Sequence, residues 1–410
     1  MKYLISLLLL ISTLVGQSPY WYSTLDDFEY ELTANYDSAI EIMNDSIFIL
    51  LYKASTGQAV LKSFEVDSDF KNITMLDSIS TGLVNTGIAI QKIDANKILS
   101  VHNNSVNTRL ETFSFNADWE FTQIDSIQRS NLRGGLYQLL SPSEDYFVLT
   151  SGYTNSATLS TWSVDGDGDN ITYIDQASVL TGGGDAHQLS VSQINDTTFV
   201  TSNRDDGYDP TINTITTDTN YDNVASIEYW TTPSTMANPD QALIDGTHLL
   251  TRFGDPNSPW ANSYWRIYSW DGNYENITGG TYETESGAGA TNATGKIIQW
   301  GASENYLMFQ QFKTEPSVRS VTVNGSYVIS DNADEYVFTT NTQHASYVEV
   351  KAEAFNDSTY IVTYIDEDTD GWVAIVAATL VEPSSGWGQT INGIIPTEVN
   401  GIIPTAVNGI

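Results

Sequence analysis

The chain has 410 residues, 40% hydrophobic and 11% aromatic, and its 51 acidic against 16 basic residues give a formal net charge of −35. That balance excludes nucleic acid and an anionic membrane surface as partners, since both repel an acidic protein, and the apolar content excludes a disordered chain. With no cysteine there is no disulfide, no thiolate nucleophile and no Cys-ligated metal, and the acidity points to a saline or extracellular setting, where salt screens self-repulsion.

Residues 1–17 read as a signal peptide. Lys2 supplies the positive end, and the apolar run Leu4–Val15 is too short to cross a bilayer and suits an export signal, with cleavage near Gly16 or Gln17. No later stretch is apolar enough to insert in a membrane, so the protein is expected outside the cell or on its surface.

From Tyr20 to Leu32 runs an alternating strand with no nearby partner, "YWYSTLDDFEYEL". Beyond it the chain repeats. A polar turn between apolar runs recurs around Asp45, Asn96, Asp145, Asp196, Gly246, Asn305 and Asp357. A second anchor, a strand ending at an acid or amide, follows the first six at Asp67, Asn116, Asp165, Asp218, Asp271 and Asn324. The period is about 50 residues, with four strands in each unit, which matches the blades of a β-propeller. A β-sandwich also has closely spaced turns but gives no reason for seven repeats of four strands. The seventh unit supplies three strands, near Ser346–Phe355, Thr359–Ile365 and Trp372–Leu380. The expectation is therefore an all-β, seven-bladed propeller over residues 18–382, the N-terminal strand closing blade seven and removing the open edge. The repeat resembles propellers in general; the motifs of the WD40, kelch and sialidase families are missing.

In a propeller, the loops between strands two and three share a face with the connections between blades. The longest here are Ser202–Thr211 and Arg252–Trp265, with Thr181–Gln188 entering beside them. They bring Asp185, His187, Arg204, Asp205, Asp206, Arg252, Asp255 and Trp260 forward as a candidate site for a glycan or polar protein partner; solvated loop residues are the plain alternative. No catalytic residue is assigned. The histidines His102, His187, His248 and His344 are scattered, and no metalloprotease, nucleophile-elbow or Walker motif occurs. The main expectation is a non-catalytic binding and assembly protein. The alternative is an exported enzyme acting on polysaccharide, a glycoside hydrolase or lyase type working through paired carboxylates.

Two acidic runs have the spacing of a calcium loop: Asp366, Asp368 and Asp370 before Gly371, and more weakly Asp165, Asp167 and Asp169 before Asn170. Neither has a glutamate at the twelfth position, and an acidic β-turn is the plain alternative for both. Calcium is the one cofactor these runs raise. Asn-x-Ser/Thr sequons begin at Asn44, Asn72, Asn103, Asn170, Asn195, Asn276, Asn292, Asn324 and Asn356, several on turns that would suit glycans.

Residues 383–410 are a linker and a tail. The unit GIIPT-x-VN runs from Gly393 to Asn400 and again from Gly401 to Asn408. Its Ile pairs favour strand pairing, and its Pro and Asn-Gly break it. So short a segment buries no core of its own, which points to attachment or assembly on another surface. The tandem VNGI endings are similar to C-terminal tails of some marine phage structural proteins, an implication the signal peptide opposes because virion parts assemble in the host cytoplasm.

Overall fold

The computed structural model describes residues 20–31, 37–84, 86–104, 107–130, 136–153, 156–179, 189–204, 209–231, 237–254, 263–285, 295–301, 304–312, 315–339, 350–366 and 368–380. The expected signal peptide and the tail lie outside these residues, as does the expected start of the seventh unit's first strand at Ser346.

Among the described residues all regular structure is β. Blade one is β2 (Ser38–Ile42), β3 (Ile47–Lys53), β4 (Gln58–Val66) and β5 (Ile73–Leu83), and blade two is β6 (Thr86–Asp94), β7 (Lys97–Asn103), β8 (Thr108–Phe115) and β9 (Phe121–Arg129). Blade three is β10 (Leu136–Ser143), β11 (Tyr146–Tyr153), β12 (Ser156–Ser163) and β13 (Thr172–Ser178), and blade four is β14 (Leu189–Asn195), β15 (Thr198–Arg204), β16 (Pro210–Thr216) and β17 (Ala225–Thr231). Blade five has β18 (Ala237–Asp245), β19 (His248–Gly254) and β20 (Ser263–Ser269), with its outer strand broken into β21 (Thr278–Gly279) and β22 (Glu283–Thr284). Blade six is β23 (Lys296–Trp300), β24 (Asn305–Phe312), β25 (Glu315–Val323) and β26 (Ile329–Val337). Blade seven is β27 (Lys351–Asn356), β28 (Thr359–Ile365) and β29 (Gly371–Leu380), completed by β1 (Tyr20–Glu31) from the other end of the chain. β1 runs antiparallel to β29, from Tyr20 opposite Leu380 to Glu31 opposite Gly371. The ring thus closes on the strand that had no partner in sequence.

Each joint between blades holds its own apolar cluster. Ile49 and Leu61 of blade one meet Ile98 and Phe113 of blade two, and the same arrangement continues to blade seven, where Ile361 and Ile375 meet Phe48 and Phe64 of blade one. Alternation along each middle strand explains this, because successive side chains face opposite neighbours. In β15, Phe199 packs toward blade three and Val200 toward blade five.

Turn chemistry repeats as well. Every blade has a turn in which an Asp or Asn carbonyl accepts from the N–H three residues on, after strand three in blades one to six and after strand two in blade seven: Phe70, Trp119, Gly168, Tyr221, Tyr274, Tyr327 and Thr369. All seven of those residues have left-handed backbones, with φ between 57° and 85°. For a residue with a side chain that conformation costs about 1–2 kcal/mol. The aromatic rings offset it by docking on the preceding blade. Tyr221 lies 4.6 Å from Tyr146, the Tyr274 hydroxyl meets the Asn195 amide, and Tyr327 stacks 3.5 Å from His248 while donating to Asp245 at 2.6 Å. Only blade three uses glycine here, where a Cβ on Gly168 would come within 2.8 Å of Ile124.

The outer strands are tied by carboxylates. Asp26 accepts the N–H of Ile73 (2.9 Å), Asp77 that of Phe121 (2.8 Å), Asp125 that of Ile171 (3.1 Å), Asp175 that of Val224 (2.9 Å) and Glu228 that of Ile277 (3.3 Å). Each link runs from one blade to the next, and in each of these five blades the strand pair carrying the acid has a register shift beside it. Part of the chain's acidity is therefore structural.

Candidate functional site

A cavity of 380 Å³ runs along the ring's axis, lined by the first strands of all seven blades. Register places its charged groups in two levels. Asp240, Lys296 and Lys351 stand on consecutive blades opposite Arg252, Phe309 and Thr363, the same rung of each blade. Ala39, Ala89, Gln138 and Ser190 complete that level on blades one to four. Two residues further along, about 7 Å by strand rise, Glu353 and Glu41 stand side by side on blades seven and one, opposite Ile361 and Ile49. Gln91 and Leu140 continue that second level into the cavity wall.

Three residues of the lining also hold the ring. The Asp240 carboxylate accepts the N–H of Ile297 at 2.5 Å, the Gln138 carbonyl oxygen that of Val191 at 2.6 Å, and Asp37 that of Gly87 at 3.0 Å. Glu353 and Lys296, by contrast, close no hydrogen bond or ion pair among the described residues.

Electrostatics sets the carboxylates apart from surface acids. Burial, reinforced by the charge of Glu353, pushes Glu41 up to about 8 despite the nearby Lys92 and Lys296. Burial also raises Glu353 against the pull of Lys296 and Lys351, and it lifts Asp240 to about 6 against Lys296 and the N–H groups of Gln241 and Ile297. Such groups hold a proton or welcome a positive charge near neutral pH.

Of the residues expected on the loop face, Asp185, His187, Asp205, Asp206, Asp255 and Trp260 lie outside the described residues. Arg204 ends β15, its backbone paired with Pro210. Arg252 belongs to a strand, not a loop. It sits on β19, 1% exposed, with Nε 3.1 Å from Glu285 and Nη2 donating to Ser263 at 2.7 Å. Glu285 also accepts from Arg319 (2.7 Å) and Gln310 (2.9 Å). Burial acts to raise this carboxyl, but the charges of Arg252 and Arg319 outweigh it and hold it below its ordinary value. The cluster locks blade five, with its broken outer strand, to blade six. A second cluster lies within blade two, between β7 and β8: Glu111 lies 2.7 Å from Arg109 and 3.6 Å from His102. Burial and the Arg109 charge push His102 down to about 4.

The two acidic runs occupy the recurrent turn, after strand three in blade three and between strands two and three in blade seven. Asp366 accepts the N–H groups of Asp368 (3.1 Å) and Asp370 (2.9 Å), and its other oxygen accepts Trp372 Nε1 (2.9 Å). Asp165 likewise accepts the N–H of Asp169 (3.1 Å) and the amide of Asn170 (2.7 Å). Asp67, Asp218 and Asp271 play the same part in blades without such a run. Turn closure therefore accounts for the first acid of each run, and among the described residues no three acidic or histidine side chains are grouped to hold a metal ion.

Sequence reasoning missed the channel charges. The signal was there: Glu41 and Glu353 each stand three residues before the asparagine that closes the first hairpin, Asn44 and Asn356.

No protein family matches this sequence, and no curated protein matches it. Solved structures do match in shape. The WD40 domain of Toxoplasma gondii coronin gives a TM-score of 0.57 at 9% identity, over 90% of this chain and 88% of that one. The periplasmic gluconolactonase of Pseudomonas aeruginosa gives 0.56 at 10% identity, over 75% and 86%. A putative 6-phosphogluconolactonase from Bacteroides uniformis gives 0.55 at 12% identity, over 73% and 85%. Likeness at this identity is of fold, and the fold it establishes is the seven-bladed β-propeller.

Proposed function

We propose that this is an exported binding protein whose central channel takes a small polar ligand, and whose loop face and C-terminal repeats engage a protein or glycan partner. The observation that carries the channel reading is its lining. Polar and charged groups converge there on two adjacent levels, and among the described residues Glu353 and Lys296 close no hydrogen bond or ion pair. The cavity is of the size that encloses small ligands. Export rests on the apolar segment at residues 4–15. The assembly role rests on the octapeptide repeats.

A second reading is an enzyme acting on a saccharide. The neighbouring Glu41 and Glu353, both raised above the usual carboxylate range, would suit general acid–base work, and two of the proteins of similar fold are described as lactonases. The test is a thermal-shift screen of sugars, sugar acids, amino acids and amines, run beside hydrolysis assays on lactones and glycosides. Stabilisation without turnover supports binding. Turnover lost in Glu41→Gln supports the enzyme. A panel in which no compound shifts the melt overturns the channel as a ligand site.

A further inference from the structure

The geometry points to a ligand bearing a primary ammonium group, its nitrogen seated between the carboxylates of Glu353 and Glu41. This rests on the channel being the ligand site and names what it selects.

The argument begins with position. Blades seven and one meet at the joint closed by β1, and their first strands present glutamates at the same rung. Two carboxylates side by side in a confined cavity repel each other and lose hydration, and a cation between them relieves both costs. Lys296 does not do so. It stands on the other level, beside Lys351 and Asp240, and pairs with neither glutamate. The charged groups facing the pair are Lys296, Lys351 and Asp240 from that level, and Lys92, whose ammonium donates to the Met43 carbonyl at 2.5 Å. With Asp37 included, the lining carries four carboxylates against two lysines.

Chemistry narrows the cation. A metal ion prefers several oxygen ligands at short range, and the neighbour on one side is a lysine. A guanidinium is a planar fork whose paired N–H groups match the two oxygens of a single carboxylate in one plane. A primary ammonium is compact, with three donors that two carboxylates can share, and Ala39, Ala89 and Leu140 offer an apolar wall to an alkyl stem. The chain's net charge of −35 also raises the local concentration of any cation.

The binding also has a proton signature. Burial holds Glu41 up at about 8 and raises Glu353, so an ammonium seated between them favours their charged forms and expels protons, whereas an anion would draw protons in. The experiment is calorimetric titration of the full secreted chain at pH 7 in two buffers of different ionisation enthalpy. The probes are 1,4-diaminobutane, N-acetyl-lysine amide, sodium gluconate and potassium chloride. We expect both amines to bind with proton release, and Glu41→Gln and Glu353→Gln each to weaken them about tenfold or more with no loss of melting temperature. Tighter binding of the diamine identifies a free amine, and tighter binding of the lysine derivative a basic side chain of a peptide. Proton uptake, tighter binding of gluconate, or equal competition by potassium overturns the ammonium site and leaves the channel reading standing. Failure of every probe class here and in the wider screen overturns both.

Discussion

Gly371 opens β29 opposite Glu31, and a methyl group there would lie 2.3 Å from Cζ of Tyr30 and 2.6 Å from its hydroxyl oxygen. Tyr30 is 3% exposed, its ring 4.9 Å from that of Tyr52, so it has no room to withdraw. Gly371→Ala must therefore expel the tyrosine or spread β1 from β29, at the joint that closes the ring. Expelling a buried ring forfeits about 2–3 kcal/mol, and overpacking costs about 1–3 kcal/mol. These are alternative routes, so the expected loss is about 2–3 kcal/mol. Alanine in an extended strand is otherwise better than glycine, so backbone preference works against the predicted sign. Urea unfolding followed by tryptophan fluorescence is the assay. Melting temperature is less sensitive, because an unfolding entropy of about 2 cal/mol/K per residue makes each kcal/mol worth only one or two degrees in a chain this long. The decisive arm is Tyr30→Ala, in whose background Gly371→Ala should cost almost nothing. An equal cost in both backgrounds, or none in the wild type, refutes the steric account of closure.

Removing residues 18–32 should abolish the cooperative melt, while removing residues 381–410 should leave it unchanged and lower self-association or surface retention; equal melts for the two truncations would dismiss the closure. Asp125→Ala, which leaves the N–H of Ile171 without its acceptor, should cost about 1–3 kcal/mol in urea unfolding, and Asp125→Asn much less. Asp366→Ala should cost about 1–2 kcal/mol through its lost turn bonds, equally with and without a calcium chelator; a chelator effect confined to the wild type would instead support a calcium site there. Stability should also depend on pH at two buried groups. Glu41 is raised in the folded state, so its contribution is full below about pH 4 and lost as pH climbs through about 8; Glu41→Gln should flatten that limb of a pH–stability curve. His102 is depressed, so its contribution is present above about 6.5 and lost as pH falls through about 4, a limb that His102→Gln should flatten.

Repeat length, turn positions and closure were legible in the sequence because each depends on local chemistry: an Asx side chain closing a turn, an alternating run making a strand, a strand lacking a partner. The left-handed aromatics were not. Residues such as Tyr221 and Tyr274 break a backbone preference, and only the neighbouring blade explains why. Arg252 was misplaced for a related reason. A polar residue beside a Gly-Asp-Pro stretch reads as a loop, whereas here the strand continues through it because Glu285, far along the chain, neutralises it. The channel pair requires aligning blades one and seven, which stand at opposite ends of the sequence.

The clasp formed by β1 and β29 also has a mechanical meaning. Because the strands are antiparallel, Tyr20 and Leu380 leave the fold side by side. Tension applied between the two termini would load the backbone bonds of this ladder one after another, like a zip, and would open the ring at low force. Tension applied to the C-terminal segment alone, against a load held in the channel, would pull β29 lengthwise between β28 and β1, stressing both ladders together. The hoop is thus weak against a pull between its own two ends and strong against a pull on one end alone.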